Sequence, residues 1–221
     1  QSAKAYRLLR AILNVAVGDS VLVRNPCVIR GAGQEHSGER PLATAEQIHL
    51  LAETIRPHLR VLVLLAGFGA LRRGELFGLE RRDVDLVAGQ LSVQRQAVHL
   101  KDGTRKVTAP KSAAGVRTVS LPPFVIEALE EHLATWTAAD PNSPVFVGER
   151  GGPLGTVSLQ TCFDEARRAT GLTQFTLHDL RHAGGTMAAW TGATTKELMA
   201  RLGHATHDAA LRYQHAAQAR D

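Results

Sequence analysis

The hydrophobic positions fall first into a helical rhythm. From Ser2 to Ala16, Tyr6, Leu8, Leu9, Ile12, Leu13 and Val15 or Ala16 recur at the spacing that gathers side chains on one helix face. One helix cannot bury that face alone, so its partners belong to the rest of the domain or to residues outside this sequence. The rhythm stops at Gly31 to Pro41, where three glycines and several polar residues predict a flexible linker. It resumes at Thr44, which with Gln47 forms a capping-box pair ahead of Ile48, Leu50, Leu51 and Ile55. Pro57 suits the first turn of a second helix running through Val61, Leu64 and Leu65. A short third helix over Arg73 to Leu79 follows Gly69.

The pattern then becomes strand-like. Leu91 to Leu100 reads as a strand, Lys101-Asp102-Gly103-Thr104 as a turn, and Arg105 to Ala109 as the strand that pairs back. Val116 to Leu121 is a third strand, reached through a turn containing Pro110, Lys111, Ser112 and Gly115. Helices are predicted again at Pro123 to Thr135, Val157 to Thr170 and Leu177 to Thr191. A second capping-box pair, Thr194 and Glu197, starts a helix that Gly203 ends, and a final helix carries Leu211 and Tyr213. No internal repeat is visible. The expected class is α+β, mostly α, with a small three-stranded antiparallel sheet.

Composition narrows the partners. The 221 residues, 44% hydrophobic and 21% charged, suit a soluble globular protein, and the longest apolar run, Val61 to Ala66, falls far short of the roughly 20 residues of a membrane helix. Aromatic content of 5% argues against stacking platforms for single-stranded nucleic acid. The net charge of +5 is compatible with a polyanionic partner without proving one. Of the 26 basic residues 21 are Arg, which offers planar paired donors that match phosphate. The charge is uneven: residues 1–41 carry +3 and residues 42–221 only +2, so an anion site in the larger body must be built locally. Cys27 and Cys162 sit in no metal-ligand or disulfide pattern, which makes a reducing cytoplasm the default. The chain opens on Gln1 without an apolar signal segment and reads as a fragment of something longer.

The candidate chemistry lies in four short stretches. In His178-Asp179-Leu180-Arg181-His182, Thr176 caps the helix with Asp179, and His178 and Arg181 share a face at its N-terminus. Free N–H groups, an imidazole and a guanidinium make a phosphate seat there, although a solvated polar face reads equally well. Leu202-Gly203-His204 leaves His204 on a turn, and Tyr213 follows nine residues later. Arg72 stands after Gly69-Ala70-Leu71 at the start of a helix, and Lys111 in the turn between two strands. Taken singly, each is an ordinary surface or core residue.

Taken together they resemble the tyrosine recombinase (phage integrase) family, whose catalytic domain is related to type IB topoisomerases. The resemblance runs from about Arg40 to His215. The family's ordered set of Arg, hairpin Lys, His-x-x-Arg, His or Trp, and Tyr maps onto Arg72, Lys111, His178 and Arg181, His204, and Tyr213. Gly69-Ala70 stands where the family often has Thr-Gly, Ser112 replaces a frequent Thr, and Asp208-Ala209-Ala210 replaces a Ser/Thr stretch. Lys101 and Lys106 lie near Lys111 and compete for its role.

The resemblance implies a core-binding-domain remnant at 1–30, a linker at 31–41 and a catalytic domain at 42–221. It implies a cytoplasmic enzyme that cleaves and rejoins double-stranded DNA through Tyr213, without metal or nucleotide cofactor. It further implies a tetramer on DNA for the full-length protein and a monomer for this fragment. Glu75 reads as structural, orienting a catalytic side chain. Two other classes stay in view: an inert DNA-binding fragment, and a metal-dependent hydrolase using His178 and His182 with His204 or His207. The second lacks an HExxH motif.

Overall fold

The apolar run at Val61 to Ala66 becomes the centre of the core in the computed structural model, which describes residues 2–34, 41–100, 104–110 and 112–203. The chain divides into two compact units, residues 1–40 and 41–221. In the first, helix α1 (Ser2–Gly18) has no buried residue, and Leu8, Ile12 and Val15 are largely exposed. The segment after it folds back along the helix. Asn25 donates from Nδ2 to the Arg10 carbonyl at 2.9 Å, and the Ile29 N–H donates to the Tyr6 hydroxyl at 2.7 Å. Part of the predicted linker, residues 35–40, lies outside the described residues.

In the second unit, α2 (Ala45–Thr54) starts at the capping box, with the Thr44 hydroxyl accepting from the Gln47 N–H and the Gln47 amide returning to the Thr44 N–H. Pro57–Leu59 forms a 3-10 turn, then α3 (Arg60–Gly67) runs apolar on every side and is buried from Val61 onward. That burial follows from its neighbours: α2, α5 (Pro123–Thr135) and α7 (Leu177–Trp190) all pack on it. Each fully buried leucine there contributes roughly 1.5–3 kcal/mol over an exposed one. The contact with α7 is backbone to backbone, since a Cβ on Gly184 would lie 1.8 Å from the Gly67 carbonyl oxygen. Helices α4 (Arg73–Gly78), α6 (Thr156–Thr170) and α8 (Thr195–Leu202) complete the helical part, and Gly203 ends α8 at φ 60°. No helix of the described residues is long and apolar enough to cross a membrane.

The three-stranded antiparallel sheet is present, with a different membership from the expected hairpin. Its order is β1 (Val84–Asp85), β2 (Gln90–Val93), β5 (Arg117–Ser120), with Leu91 opposite Val119. The expected long strand over Leu91 to Leu100 divides, and its second half, β3 (Gln96–His99), pairs with β4 (Arg105–Thr108) in a separate ribbon. The break has a cause. Arg95 leaves the strand line to bond Asp83 (Nη1 to Oδ2, 2.5 Å), and its backbone crosses Gly78 so closely that a Cβ there would sit 2.9 Å from the Arg95 carbonyl oxygen. The turn at 101–103 and the helix carrying Leu211 and Tyr213 lie outside the described residues.

Candidate active site

The site is built around a carboxylate. Leu71 and Arg72 follow a left-handed bend at Ala70 (φ 52°), a conformation that costs an L-residue roughly 1–2 kcal/mol. The bend turns the Ala70 carbonyl toward α7, where Arg181 donates to it from Nη1. Arg72 then caps α4 with extended backbone, and the Glu75 carboxylate reaches back to the Arg72 N–H at 2.8 Å. A capping interaction thus fixes Glu75, and Glu75 fixes the arginines. Arg72 Nη1 donates to Glu75 Oε1 at 2.7 Å, and Arg117 donates from Nη1 and Nη2 to Oε1 and Oε2 at 3.0 and 2.9 Å. Arg181 Nη1 lies 3.8 Å from Oε2.

Burial ranks these groups. The Glu75 and Arg181 side chains are each 2% exposed and Arg117 is 4%, whereas Arg72 is 37% exposed. Burial alone would raise the Glu75 carboxyl. The hydrogen bonds and charge of Arg117, then the bonds from Arg72, outweigh it and hold Glu75 below its ordinary value, so it is an anion at neutral pH. One buried negative charge faces three guanidiniums, which leaves the centre positive. Arg72 carries that charge into an open cavity of about 560 Å³, lined also by Arg73, Gln96, His99 and Ser112. An anion entering there meets a guanidinium whose direction is already set.

His178 occupies the first turn of α7, below the Thr176–Asp179 capping box, and lines a second cavity of about 320 Å³ with Leu71, Phe163 and Thr176. Arg73 and Thr156 line both cavities, so His178 and Arg72 flank one surface. The His178 and His182 rings meet edge to face, with centroids 4.6 Å apart. Among the described residues, no group of three or more His, Cys, Asp or Glu is placed to hold a metal ion. Arg72 Nη2 donates to the Gly203 carbonyl at 3.0 Å, and Arg181 Nη2 donates to the Leu202 carbonyl. The end of α8 is therefore tied to both arginines.

The structure thus brings Arg72 and Arg181 to one carboxylate with His178 nearby, while Lys111, His204, His207 and Tyr213 lie outside the described residues. Sequence reasoning missed Arg117. Its signal was register: in β5, Arg117 and Val119 face inward while Thr118 and Ser120 face out, so an arginine stands in an apolar position and requires a buried anion.

The profile of the phage integrase family matches residues 42–220. A putative prophage phiRv2 integrase of Mycobacterium tuberculosis is 43% identical over 99% of this chain, and the integrase of Mycobacterium phage L5 is 35% identical over 98%. The chain spans 59% of the length of each of these relatives. Among solved structures, the Tn1549 transposon integrase in complex with circular intermediate DNA superposes with TM-score 0.82 at 21% identity, over 94% of this chain and 72% of that one. A lambda integrase dimer bound to a core site gives 0.64 at 21% identity, over 98% and 59%. These two likenesses establish the fold.

Proposed function

This chain belongs to the phage integrase family, and from that premise we propose that it is the DNA-cleaving and rejoining part of a cytoplasmic tyrosine site-specific recombinase. The observation that carries the reading is the convergence of Arg72 and Arg181 on buried Glu75 at the edge of an open, positively charged cavity. Residues 1–30 are then the end of a core-binding domain, 31–41 a linker, and 42–221 the catalytic domain. The partner is double-stranded DNA, and the full-length protein works as a tetramer on it.

The chemistry follows from the groups. A tyrosine hydroxyl has a pKa of about 10 and is ionised to about one part in a thousand at pH 7, so activating it costs roughly 4 kcal/mol. His178 takes the Tyr213 proton, through water, as the phenolic oxygen attacks the scissile phosphorus. Arg72 and Arg181 hold the nonbridging oxygens and stabilise the charge of the five-coordinate transition state. His204 adds a hydrogen bond. The bond from phosphorus to the 5′-oxygen breaks, and Lys111 supplies the proton that oxygen gains. The product is a 3′-phosphotyrosine and a free 5′-hydroxyl. Attack by a second 5′-hydroxyl reverses the step on a new partner, so the bond energy is conserved and no nucleotide is consumed. Because guanidiniums supply the positive charge, no divalent ion is needed.

The test is incubation with a randomised pool of nicked duplexes in EDTA. A covalent protein–DNA adduct is expected, and Tyr213→Phe abolishes it while duplex binding survives. Binding without an adduct in the parent chain would identify an inert DNA-binding fragment. Cleavage that requires a divalent ion would favour a metal-dependent hydrolase.

A further inference from the structure

Arg117 uses its guanidinium in a way that separates it from the other two arginines. Two donors go to the two oxygens of Glu75, Nη1 also reaches the Gly115 carbonyl at 3.0 Å, and Nε donates to the Arg201 carbonyl at 2.7 Å. With 4% of its side chain exposed, Arg117 offers no face to the cavity and cannot hold a phosphate itself. It instead joins three elements that carry the site. Gly115 closes the turn that begins beside Lys111, Glu75 belongs to the helix capped by Arg72, and Arg201 lies in the last turn of α8, before His204.

The fit around it is close. A Cβ on Gly203 would lie 3.1 Å from Arg117 Nη1 and 3.0 Å from the Ala114 carbonyl oxygen, so the Gly203 cap of α8 rests on the Arg117 guanidinium. The same Gly203 carbonyl accepts from Arg72. We infer that Arg117 is a positioning residue of the cleavage reaction: it orients Glu75, and through Glu75 and the end of α8 it sets the aim of Arg72 and Arg181 and ties the turn at Ala113–Gly115 to the end of α8. This rests on the recombinase reading for its effect on rate, while its effect on the arginines is independent of that reading. A lysine, with one point charge on a flexible stem, cannot make the planar paired contact and also bridge two carbonyls.

The experiment is single-turnover cleavage at saturating concentration of a duplex selected from the randomised pool, with duplex affinity and melting measured beside it. Arg117→Lys is expected to fold and to lower the rate at least about tenfold, and Arg117→Gln about a hundredfold, with duplex affinity within about threefold of the parent. A structural role alone would not move the pH profile. In Arg117→Gln, Glu75 keeps its burial and loses its main counter-charge, facing among the described residues Arg72 at the N-cap of α4 and Arg181 from α7, with Arg201 of α8 behind. The cleavage rate therefore gains an acid limb that adding Glu75→Gln removes. Unchanged rates in folded variants, or a loss confined to affinity, would overturn the inference. Loss of the folded state in both variants would assign Arg117 to the core alone and overturn it too. If the parent chain forms no adduct, the recombinase reading fails separately. The positioning role is then read from the side-chain N–H signals of Arg72 and Arg181 in ¹⁵N spectra without DNA: their shift in Arg117→Lys supports it, and identical signals contradict it.

Discussion

Glu75 is the residue on which the site depends, because its single charge is shared by groups that cannot leave the core. Removing it leaves Arg117 and Arg181 buried without their anion, and losing one partner of a buried charge set costs roughly 3–5 kcal/mol. Glu75→Ala is therefore expected to lower stability by about that amount in urea denaturation, and Glu75→Gln, which keeps the shape and one acceptor, by less. A second prediction concerns two histidines that line neither cavity. His132 is buried, with Nε2 at 2.9 Å from the Val145 carbonyl, and burial pushes its pKa below 6.5; burial lowers His58 as well. The unfolded chain takes up protons near pH 6.5 that the folded chain refuses. Stability is thus full above that pH and falls as pH drops below it, toward the depressed folded values. Thermal melting from pH 7.5 to 5.5 should show this slope, and His132→Gln should flatten it while retaining a donor for Val145.

Helix starts were legible at the level of elements because they are local. The pairs Thr44–Gln47, Thr176–Asp179 and Thr194–Glu197 all form the reciprocal bonds their spacing predicts. The division of Leu91 to Leu100 between two sheets was not legible, since it depends on Gly78 and Asp83, which meet Arg95 only in the folded chain. Arg72 and Arg181 are expected from the ordered motif of the family the sequence resembles, and both meet Glu75 in the folded chain. Arg117 escaped because its partner lies 42 residues away and a short strand gives few positions from which to read an inward face. The left-handed Ala70 escaped as well, because alanine gives no sign of a bend that glycine would have advertised. The α3–α7 contact yields the prediction at this scale. Gly184→Ala forces a methyl onto the Gly67 carbonyl, two rigid backbones must separate, and a loss of about 3 kcal/mol is expected in the denaturation midpoint.

Charge is distributed unevenly over the whole molecule. The first 41 residues carry +3 and the remaining 180 only +2, so the larger body depends on a few placed guanidiniums rather than on a general field. Duplex affinity should then be weak and fall steeply with salt, with a logarithmic slope near −0.9 for each phosphate neutralised. The cleavage rate at saturating DNA should respond far less, because Arg181 and Glu75 are shielded from solvent ions. Titrating salt in both assays separates the two effects. Covalent joining of Tyr213 to DNA can be located directly, because the chain contains just two tyrosines, Tyr6 and Tyr213. The adduct formed in EDTA is digested with nuclease and trypsin, and the peptide bearing the residual nucleotide is identified by mass spectrometry. The nucleotide is expected on Tyr213, in the peptide from Tyr213 to Arg220. A nucleotide on Tyr6, on a serine or on a histidine would contradict it.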